Sequence, residues 1–363
     1  MTEPKHQTKK THYFAFWILG LLIPLIVVIS WDSMPRYQAI RDLKKAGIEQ
    51  TSASVHHAVS QGNVATLLLL HAAGVPFGEP DVNGRTALIN AVTAKNREVS
   101  EFLTRVPEVD CDQPDKDGVP PLAHAIAKGN LDAVKRLLVR VKNPNVEVDG
   151  GGGKAHALLK ATQERDGTLL RLLLTHPEID VDVVDESGKT PLHYAIKQDD
   201  LLVARALVSG KRSPNPNIVS LSGETPLHYA VHAAREDAVA LLLEHGAKLD
   251  GDLKAPFLIK AIADREPAIV RHLLSHGVNA NMQHPETKLS FLNHAIDEQA
   301  TGCVVELLSA GATPSGALER AIQCGLADAA RMIVAHYEGQ DKPWSHKEGL
   351  LELAIYSNSP DCV

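Results

Sequence analysis

The sequence predicts an all-α protein, a tandem stack of helix pairs joined by short hairpin loops and preceded by one membrane-spanning helix. Three observations predict it. Aromatic residues make up only 4 % of a chain that is 44 % hydrophobic, so its core is laid down in small aliphatic layers. An interval of twelve residues between an alanine and a leucine or isoleucine recurs along most of the 363 residues. The stretch Tyr13 to Ser30 carries no charge at all.

The N-terminal elements come first in order. Residues 1–12 are a basic tail holding Lys5, Lys9 and Lys10, and residues 13–30 read "YFAFWILGLLIPLIVVIS". About twenty apolar residues span a bilayer's hydrocarbon, so this segment just suffices. A cleaved secretory signal is the rival reading, since Val28-Ile29-Ser30 could precede a cleavage site; its apolar region usually runs about 7 to 15 residues. The length of the run and Trp31 at its edge favour a retained anchor, because tryptophan settles at membrane interfaces. Residues 31–50 form a juxtamembrane capping segment, in which Ile40, Leu43 and Gly47 repeat the spacing of Val239, Leu242 and Gly246.

Residues 51–363 repeat. Ala58, Ala91, Ala125, Ala161, Ala195, Ala230, Ala261 and Ala295 are each followed twelve residues later by leucine, and Ala321 by Ile333. The distance from one alanine to the next drifts between 26 and 36 residues, so insertions fall between units and not inside them. That is how a two-helix module behaves when its internal packing is fixed and its loops are free. About nine units are expected, with a terminal half unit around Ala354, whose partner leucine would lie beyond the last residue.

The best units are "SGKTPLHYAIKQDDLLVARALVSG" (187–210) and "SGETPLHYAVHAAREDAVALLLEHGAKLD" (222–250). They carry Gly-x-Thr-Pro-Leu-His-x-Ala and resemble ankyrin repeats; "NGRTALINAV", "DGVPPLAHAI", "APFLIKAI" and "LSFLNHAI" are degenerate copies. The resemblance covers roughly residues 51 to 363 and implies a curved stack of helix pairs with outward hairpin loops, acting through protein contacts. The residues support the pattern independently. Thr190 and Thr225 stand where a hydroxyl caps a helix start. Pro191 and Pro226 follow at the first helical position. Gly246, Gly277 and Gly311 come just past a second helix, where a left-handed cap is usual.

Three kinds of chemistry are weighed against this. "DGGGGKAHALLKA" (149–161) looks like a phosphate loop, but Val148 replaces the first glycine of that motif and Ala155 its hydroxyl. Its place between the third and fourth units makes it a long hairpin tip, with His156 at the threonine position. His193 and His228 are expected to bond the loop backbone, although His228 and His232, four apart on one helix, could share a metal. Cys111, Cys303, Cys324 and Cys362 show no paired spacing, and Cys303 falls on a buried helix side. The chain is expected not to be an enzyme and to need no cofactor or metal. A net charge of −7 argues against a nucleic-acid partner.

What remains is a surface for another protein. In such repeats the hairpin tips and the outward side of the first helix line the concave face. Here these positions are Glu186, Ser187, Lys189, Tyr194, Lys197, Gln198, Leu221, Ser222, Glu224, Tyr229 and His232. Tyrosines among mixed charges suit a binding surface. Towards the C-terminus Asp264, Asp297 and Glu298 take these positions, so a basic partner would favour that end. The expected role is a membrane-tethered scaffold. The alternatives are a regulator or inhibitor of a membrane-associated or exported enzyme and, from another class, a metal- or nucleotide-dependent activity. Flanking charges are nearly balanced, with Lys5, Lys9 and Lys10 before the apolar run and Arg36, Arg41, Lys44 and Lys45 after it. The order of a short basic stretch then an apolar run places the repeats outside the cytoplasm, in the periplasm if the protein is bacterial. Cytosolic habit in such arrays and four unpaired cysteines pull the other way.

Overall fold

The computed structural model describes residues 35–149, 154–249 and 254–338. The Tyr13–Ser30 segment, the glycines 150–153 and the proposed terminal half unit lie outside them. Among the described residues no helix is long and apolar enough to cross a membrane.

Residues 35–45 form helix α1. Nine helix pairs follow among the described residues. They are α2 (Ser52–Gln61) with α3 (Val64–Ala72), α4 (Ala87–Thr93) with α5 (Arg97–Arg105), and α6 (Pro121–Ala127) with α7 (Leu131–Leu137). Next come α8 (Ala157–Gln163) with α9 (Gly167–Leu173), α10 (Pro191–Lys197) with α11 (Leu201–Val208), and α12 (Pro226–His232) with α13 (Glu236–Glu244). The last are α14 (Lys254–Ala263) with α15 (Pro267–Ser275), α16 (Phe291–Asp297) with α17 (Thr301–Ser309), and α18 (Ala317–Gln323) with α19 (Ala327–Glu338). The chain divides into two compact units, Met1–Ala157 and Leu158–Val363. In the first unit α2, α4 and α6 pack in sequence order, with α3, α5 and α7 in a second row. In the second unit α10 to α18 and α11 to α19 form the same two rows.

Helices of seven residues are too short to hold themselves in water, so packing must hold them. The twelve-residue spacing shows how. Every alanine of that series is at most 3 % exposed, and every leucine, with Ile333, is at 0 %. An alanine lets two helices approach; the leucine fills the layer behind it. Side-chain caps finish many of the short helices. Thr86, Thr190 and Ser290 accept the N–H of Ile89, His193 and Asn293 at the starts of α4, α10 and α16. Asn63, Asn96, Asn130 and Asp200 do the same for α3, α5, α7 and α11.

Between the two helices of each pair the chain reverses through a residue in the left-handed region. Glycine supplies it at Gly62, Gly129 and Gly325, whereas Lys95, Arg165, Asp199, Ala234, Arg265 and Gln299 adopt φ of 54° to 59°. After the second helix, Gly246, Gly277 and Gly311 take φ of 86°, 90° and 83°, the left-handed caps their positions predict.

The loops that follow are tied to one another by Asx side chains. Asp112 accepts the Lys142 N–H at 2.8 Å, and Asp182 accepts that of Asn215 at 2.9 Å. Asn217 accepts from Lys248 and donates to the Gly246 carbonyl; Asn281 accepts from Thr313 and donates to the Gly311 carbonyl. Burial pushes the Asp182 carboxyl above its usual range; the Asn215 N–H opposes this and Asp180 adds to it.

The expectation of an all-α fold needs one correction. β1 (Glu147–Asp149) pairs antiparallel with β2 (Lys154–His156), in register Val148 opposite Ala155, and Gln283 bridges Ser290. Val148 is 3 % exposed while its neighbours in β1 are open, so period-two burial wins over three residues.

Candidate functional site

The hairpin fingers are built on one device that sequence reading missed. Asp81, Asp115 and Asp185 each stand three residues before a glycine of positive φ, Gly84, Gly118 and Gly188. At Asp185 the Oδ1 atom accepts the N–H groups of Ser187 and Lys189, both at 2.9 Å, and the Ser187 hydroxyl at 2.8 Å. Asp81 and Asp115 make the same two backbone bonds with Asn83 and Arg85, and with Asp117 and Val119. The second carboxylate oxygen then reaches the residue nine positions on. Asn90 donates to Asp81 at 2.8 Å, His124 meets Asp115 at 2.8 Å, and the Tyr194 hydroxyl donates to Asp185 at 2.5 Å. Burial works against the charged form at all three. The hydrogen bonds together outweigh it and hold each carboxyl below its usual range. Asp-x-x-Gly before a short helix was the available signal.

In the sixth pair the finger differs. Ser220 replaces the aspartate, and Glu224 takes over, accepting from Tyr229 and Ser222, which lowers its pKa. The two tips are joined directly, since the Leu221 N–H donates to the Ser187 carbonyl at 2.9 Å.

The predicted contact residues separate into two groups. Glu186, Ser187, Lys189, Leu221, Ser222 and Glu224 lie on these two adjoining fingers, with Tyr194 and Tyr229 behind them on α10 and α12. Leu221 is 81 % exposed, and the neighbouring Val184 and Val219, which sequence reading passed over, are also open. The Lys189 ammonium sits 5.9 Å from the Tyr229 ring centre. Lys197, Gln198 and His232 lie at the far ends of α10 and α12. Several of the predicted contact residues have their polar groups committed internally, Ser222 and Tyr229 to Glu224 among them. Ser187 and Tyr194 hold Asp185, and Gln198 donates to the Gln163 carbonyl while accepting from Arg165. They shape the face; its open groups are Glu186, Lys197, Leu221 and His232.

At the acidic C-terminal end two of the three predicted carboxylates, Asp264 and Asp297 but not Glu298, are ion-paired among the described residues. Lys260 closes on Asp264 at 2.6 Å, and Arg320 grips Asp297, so neither carboxylate stands as free charge for a basic partner.

The histidines bond the backbone as their positions predict. His193 Nδ1 accepts the Thr190 N–H at 3.1 Å, and Nε2 donates to the Glu224 carbonyl at 3.2 Å. His228 Nδ1 accepts the Thr225 N–H at 3.0 Å, while the ring packs on Phe257. A metal shared with His232 would have to use the other nitrogen of a ring already fixed. Among the described residues no group of three or more His, Cys, Asp or Glu is placed to hold a metal. Lys154 lies in β2, three residues before α8 begins, so it does not stand at a helix start as a phosphate-loop lysine must. A cleft of 400 Å³ opens at the other end of α10 and α12, lined by Asp200, Leu201 and Glu236 among others, and crossed by the Arg235–Asp199 ion pair at 3.0 Å. Cys303 is fully buried, and burial with Glu266 and Glu306 nearby pushes its thiol up to about 11.

Helix pairs stacked by nearest-neighbour contacts, with fingers projecting before several of the first helices, define a tandem-repeat binding module. The family model described as "Ankyrin repeats (3 copies)" matches residues 55–149 and 156–252, more than half of the chain. The chain belongs to the ankyrin repeat family. Ankyrin repeats serve as protein–protein interaction scaffolds and are generally non-enzymatic.

Among curated relatives, rabankyrin-5 of Homo sapiens is 27 % identical over 155 residues, 42 % of this chain and 13 % of that protein. The B-cell lymphoma 3 protein homolog of Mus musculus is 32 % identical over 180 residues, 47 % of this chain and 39 % of that protein. The matched region thus spans only a minor part of either relative's length. Among solved structures, the human ASB11 ankyrin repeat domain aligns with TM-score 0.40 and 23 % identity, covering 54 % of this chain and 90 % of that one. A structure of the Bd0816 predatory endopeptidase from Bdellovibrio bacteriovorus in complex with immunity protein Bd3460 aligns with TM-score 0.38 and 21 % identity, over 52 % and 96 %.

Proposed function

We propose that this protein is a membrane-tethered scaffold that captures another protein on the fifth and sixth fingers. The observation that carries the reading is the joined pair of tips. Leu221, Val184 and Val219 are exposed apolar side chains on a rigid, hydrogen-bonded edge, with Tyr229 and charged Glu186 and Lys189 around them. Contact surfaces gain most from apolar and aromatic anchors whose conformation is fixed beforehand. The tether rests on the uncharged Tyr13–Ser30 run behind Lys5, Lys9 and Lys10. The same order of charge supports repeats outside the cytoplasm, in the periplasm of a bacterium.

A photo-crosslinking residue at Leu221 of the full chain, expressed in its native membrane, tests the surface. A discrete adduct is expected there and not at Leu202, an equally open leucine on α11. Equal labelling at both positions would overturn the assignment. Protease added to spheroplasts should digest the repeats without detergent; protection until lysis would reverse the orientation.

A further inference from the structure

We infer that the second unit carries an acid-sensitive latch, in which histidine rings that accept backbone N–H groups, and so must stay neutral, hold its fingers and helix starts; among the described residues no ring of the first unit accepts a backbone N–H. The inference stands on hydrogen-bond geometry and is independent of whether the fingers meet a partner.

A backbone N–H can only donate, so a ring nitrogen that receives one must present a lone pair. His193 and His228 receive the N–H groups of Thr190 and Thr225 on Nδ1, which fixes the proton on Nε2. The threonine hydroxyls, 2.9 and 2.8 Å from the same nitrogens, then donate as well. In the eighth pair His284 opens a finger one residue longer, six residues before the Ser290 cap where Asp81, Asp115 and Asp185 stand five before theirs. Its Nδ1 accepts the N–H groups of Glu286 and Thr287 at 3.2 and 3.3 Å, two and three residues on, where Asp185 accepts those two and four residues on. An imidazolium has two N–H donors and no acceptor. Protonating any of these rings therefore severs the bonds that start α10 or α12, or that shape the eighth finger.

The surroundings do not rescue the charge. Behind His284 lies His294 of α16, ring centres 4.9 Å apart, with its Nε2 buried and unpartnered. Burial first, and His284 second, push His294 below the usual histidine value, against the pull of Glu298 and Asp297. Asp297 is already held by Arg320 of α18, and on α14 Lys260 is closed on Asp264. Around His193, Lys189 opposes a proton while Asp185 and Glu224 favour it; around His228, His232 opposes and Glu224 favours. Tyr229 and Phe257 pack against the two rings. Burial leads in both cases, and both rings lie below the usual histidine value of 6.5.

The first unit is built oppositely. Its first-helix caps put Ile89 and Ala123 where His193 and His228 stand, so no ring is needed. His124 lies against Asp115, where a proton on the ring adds attraction, and His56 lies near Asp81. The sign follows from linkage. A ring kept neutral in the fold contributes full stability above 6.5, and that contribution falls as pH drops below 6.5, because only the opened chain takes up the proton.

Amide hydrogen exchange read by mass spectrometry on the full chain in detergent, corrected for intrinsic pH dependence, tests this at pH 7.5 and 5.5. Residues 190–196, 225–231 and 284–292 are expected to lose protection at pH 5.5, by at most about tenfold per histidine that stays neutral in the fold. Residues 81–92 and 115–126 should hold theirs. His284→Asp, which puts here a carboxylate able to accept the same N–H groups at both pH values, should remove the acid-dependent loss over residues 284–292. Slow exchange of the histidine C2 protons on the unaltered protein gives each ring's titration directly and needs no variant. Equal loss in both units, earlier loss in the first, or no loss in the second above pH 4.5 would each overturn the inference.

Discussion

The Tyr194 hydroxyl donates to the Asp185 carboxylate at 2.5 Å, joining the middle of a seven-residue helix to the finger before it. Asp185 organises the turn with its other oxygen, so this one bond couples finger to helix. Tyr194→Phe keeps the ring and removes the bond. It should cost about 1.5 to 3 kcal/mol, the worth of a bond to a charged acceptor. Urea unfolding followed by circular dichroism measures it, and an unchanged midpoint would show that the finger holds its shape without the tyrosine.

The finger carboxylates make a separate acid prediction. Asp81, Asp115 and Asp185 are lowered from the ordinary 3.8, so their contribution is complete above 3.8 and is lost as pH falls through each folded value. Asp115→Asn should reduce stability at pH 7 and flatten the dependence of stability on pH below 3.8. A slope below 3.8 as steep as that of the unaltered protein would place the acid sensitivity elsewhere.

Much of this architecture was legible because packing imposes it on residue type. Ala195 and Leu207 are both at 0 % exposure, and the same twelve-residue spacing joins two buried apolar residues in all nine described pairs. Thr190, Pro191 and His193 announced a helix start because each meets a distinct requirement of the backbone there. The internal turns were not legible. Lys95, Arg165 and Gln299 adopt left-handed backbone with nothing in their side chains to signal it, since neighbouring helices enforce the reversal. Nor did a side-chain list say which polar groups are free. Gln198 and Lys197 look equally available in sequence, yet Gln198 is fastened to Gln163 and Arg165. The short β1–β2 pairing lay beneath the length at which alternation can be read.

Ala234 offers a stabilising substitution. It turns the chain between α12 and α13 with φ of 54°, where an L side chain is strained, while Gly129 fills the same place between α6 and α7 with φ of 62°. The left-handed conformation costs a non-glycine residue about 1 to 2 kcal/mol. Glycine gives back about 0.4 to 1 kcal/mol through its freer unfolded chain. Ala234→Gly should therefore raise stability by about 0.5 to 1 kcal/mol, seen as a later urea midpoint. A lower midpoint would mean that the methyl makes a favourable contact outweighing the strain.

The thiols should differ sharply in reactivity. Cys324 is exposed, whereas Cys303 and Cys111 are buried and burial raises both thiol pKa values, Cys303 to about 11. Only thiolate attacks an alkylating agent. Iodoacetamide at pH 8, followed by peptide mapping, should modify Cys324 within minutes and leave Cys303 intact until denaturant is added. Rapid labelling of Cys303 in buffer would show that α17 opens far more readily than its packing implies.

The N-terminal end of the first unit should depend on α1. Leu43 is at 0 % exposure and Ala39 at 3 %, so α1 buries an apolar side although, among the described residues, no second helix is paired with it. Arg36 donates from Nε to the Ala73 carbonyl at 3.2 Å, satisfying a carbonyl just past the end of α3, and Gly47 turns the chain with φ of 69°. A stack of helix pairs needs a terminal element whose outer side is polar. Tyr37, Arg41, Lys44 and Lys45 supply that side, all of them exposed. Leu43→Ala should remove about 2 to 4 kcal/mol of packing. Because neighbouring pairs support one another only locally, the loss should fall on α1, α2 and α3 first, read as faster amide exchange over residues 39–72 with α18 and α19 unaffected. Arg36→Ala should give a smaller change confined to the end of α3. Uniform loss across the first unit would instead make α1 part of one cooperative block rather than a cap.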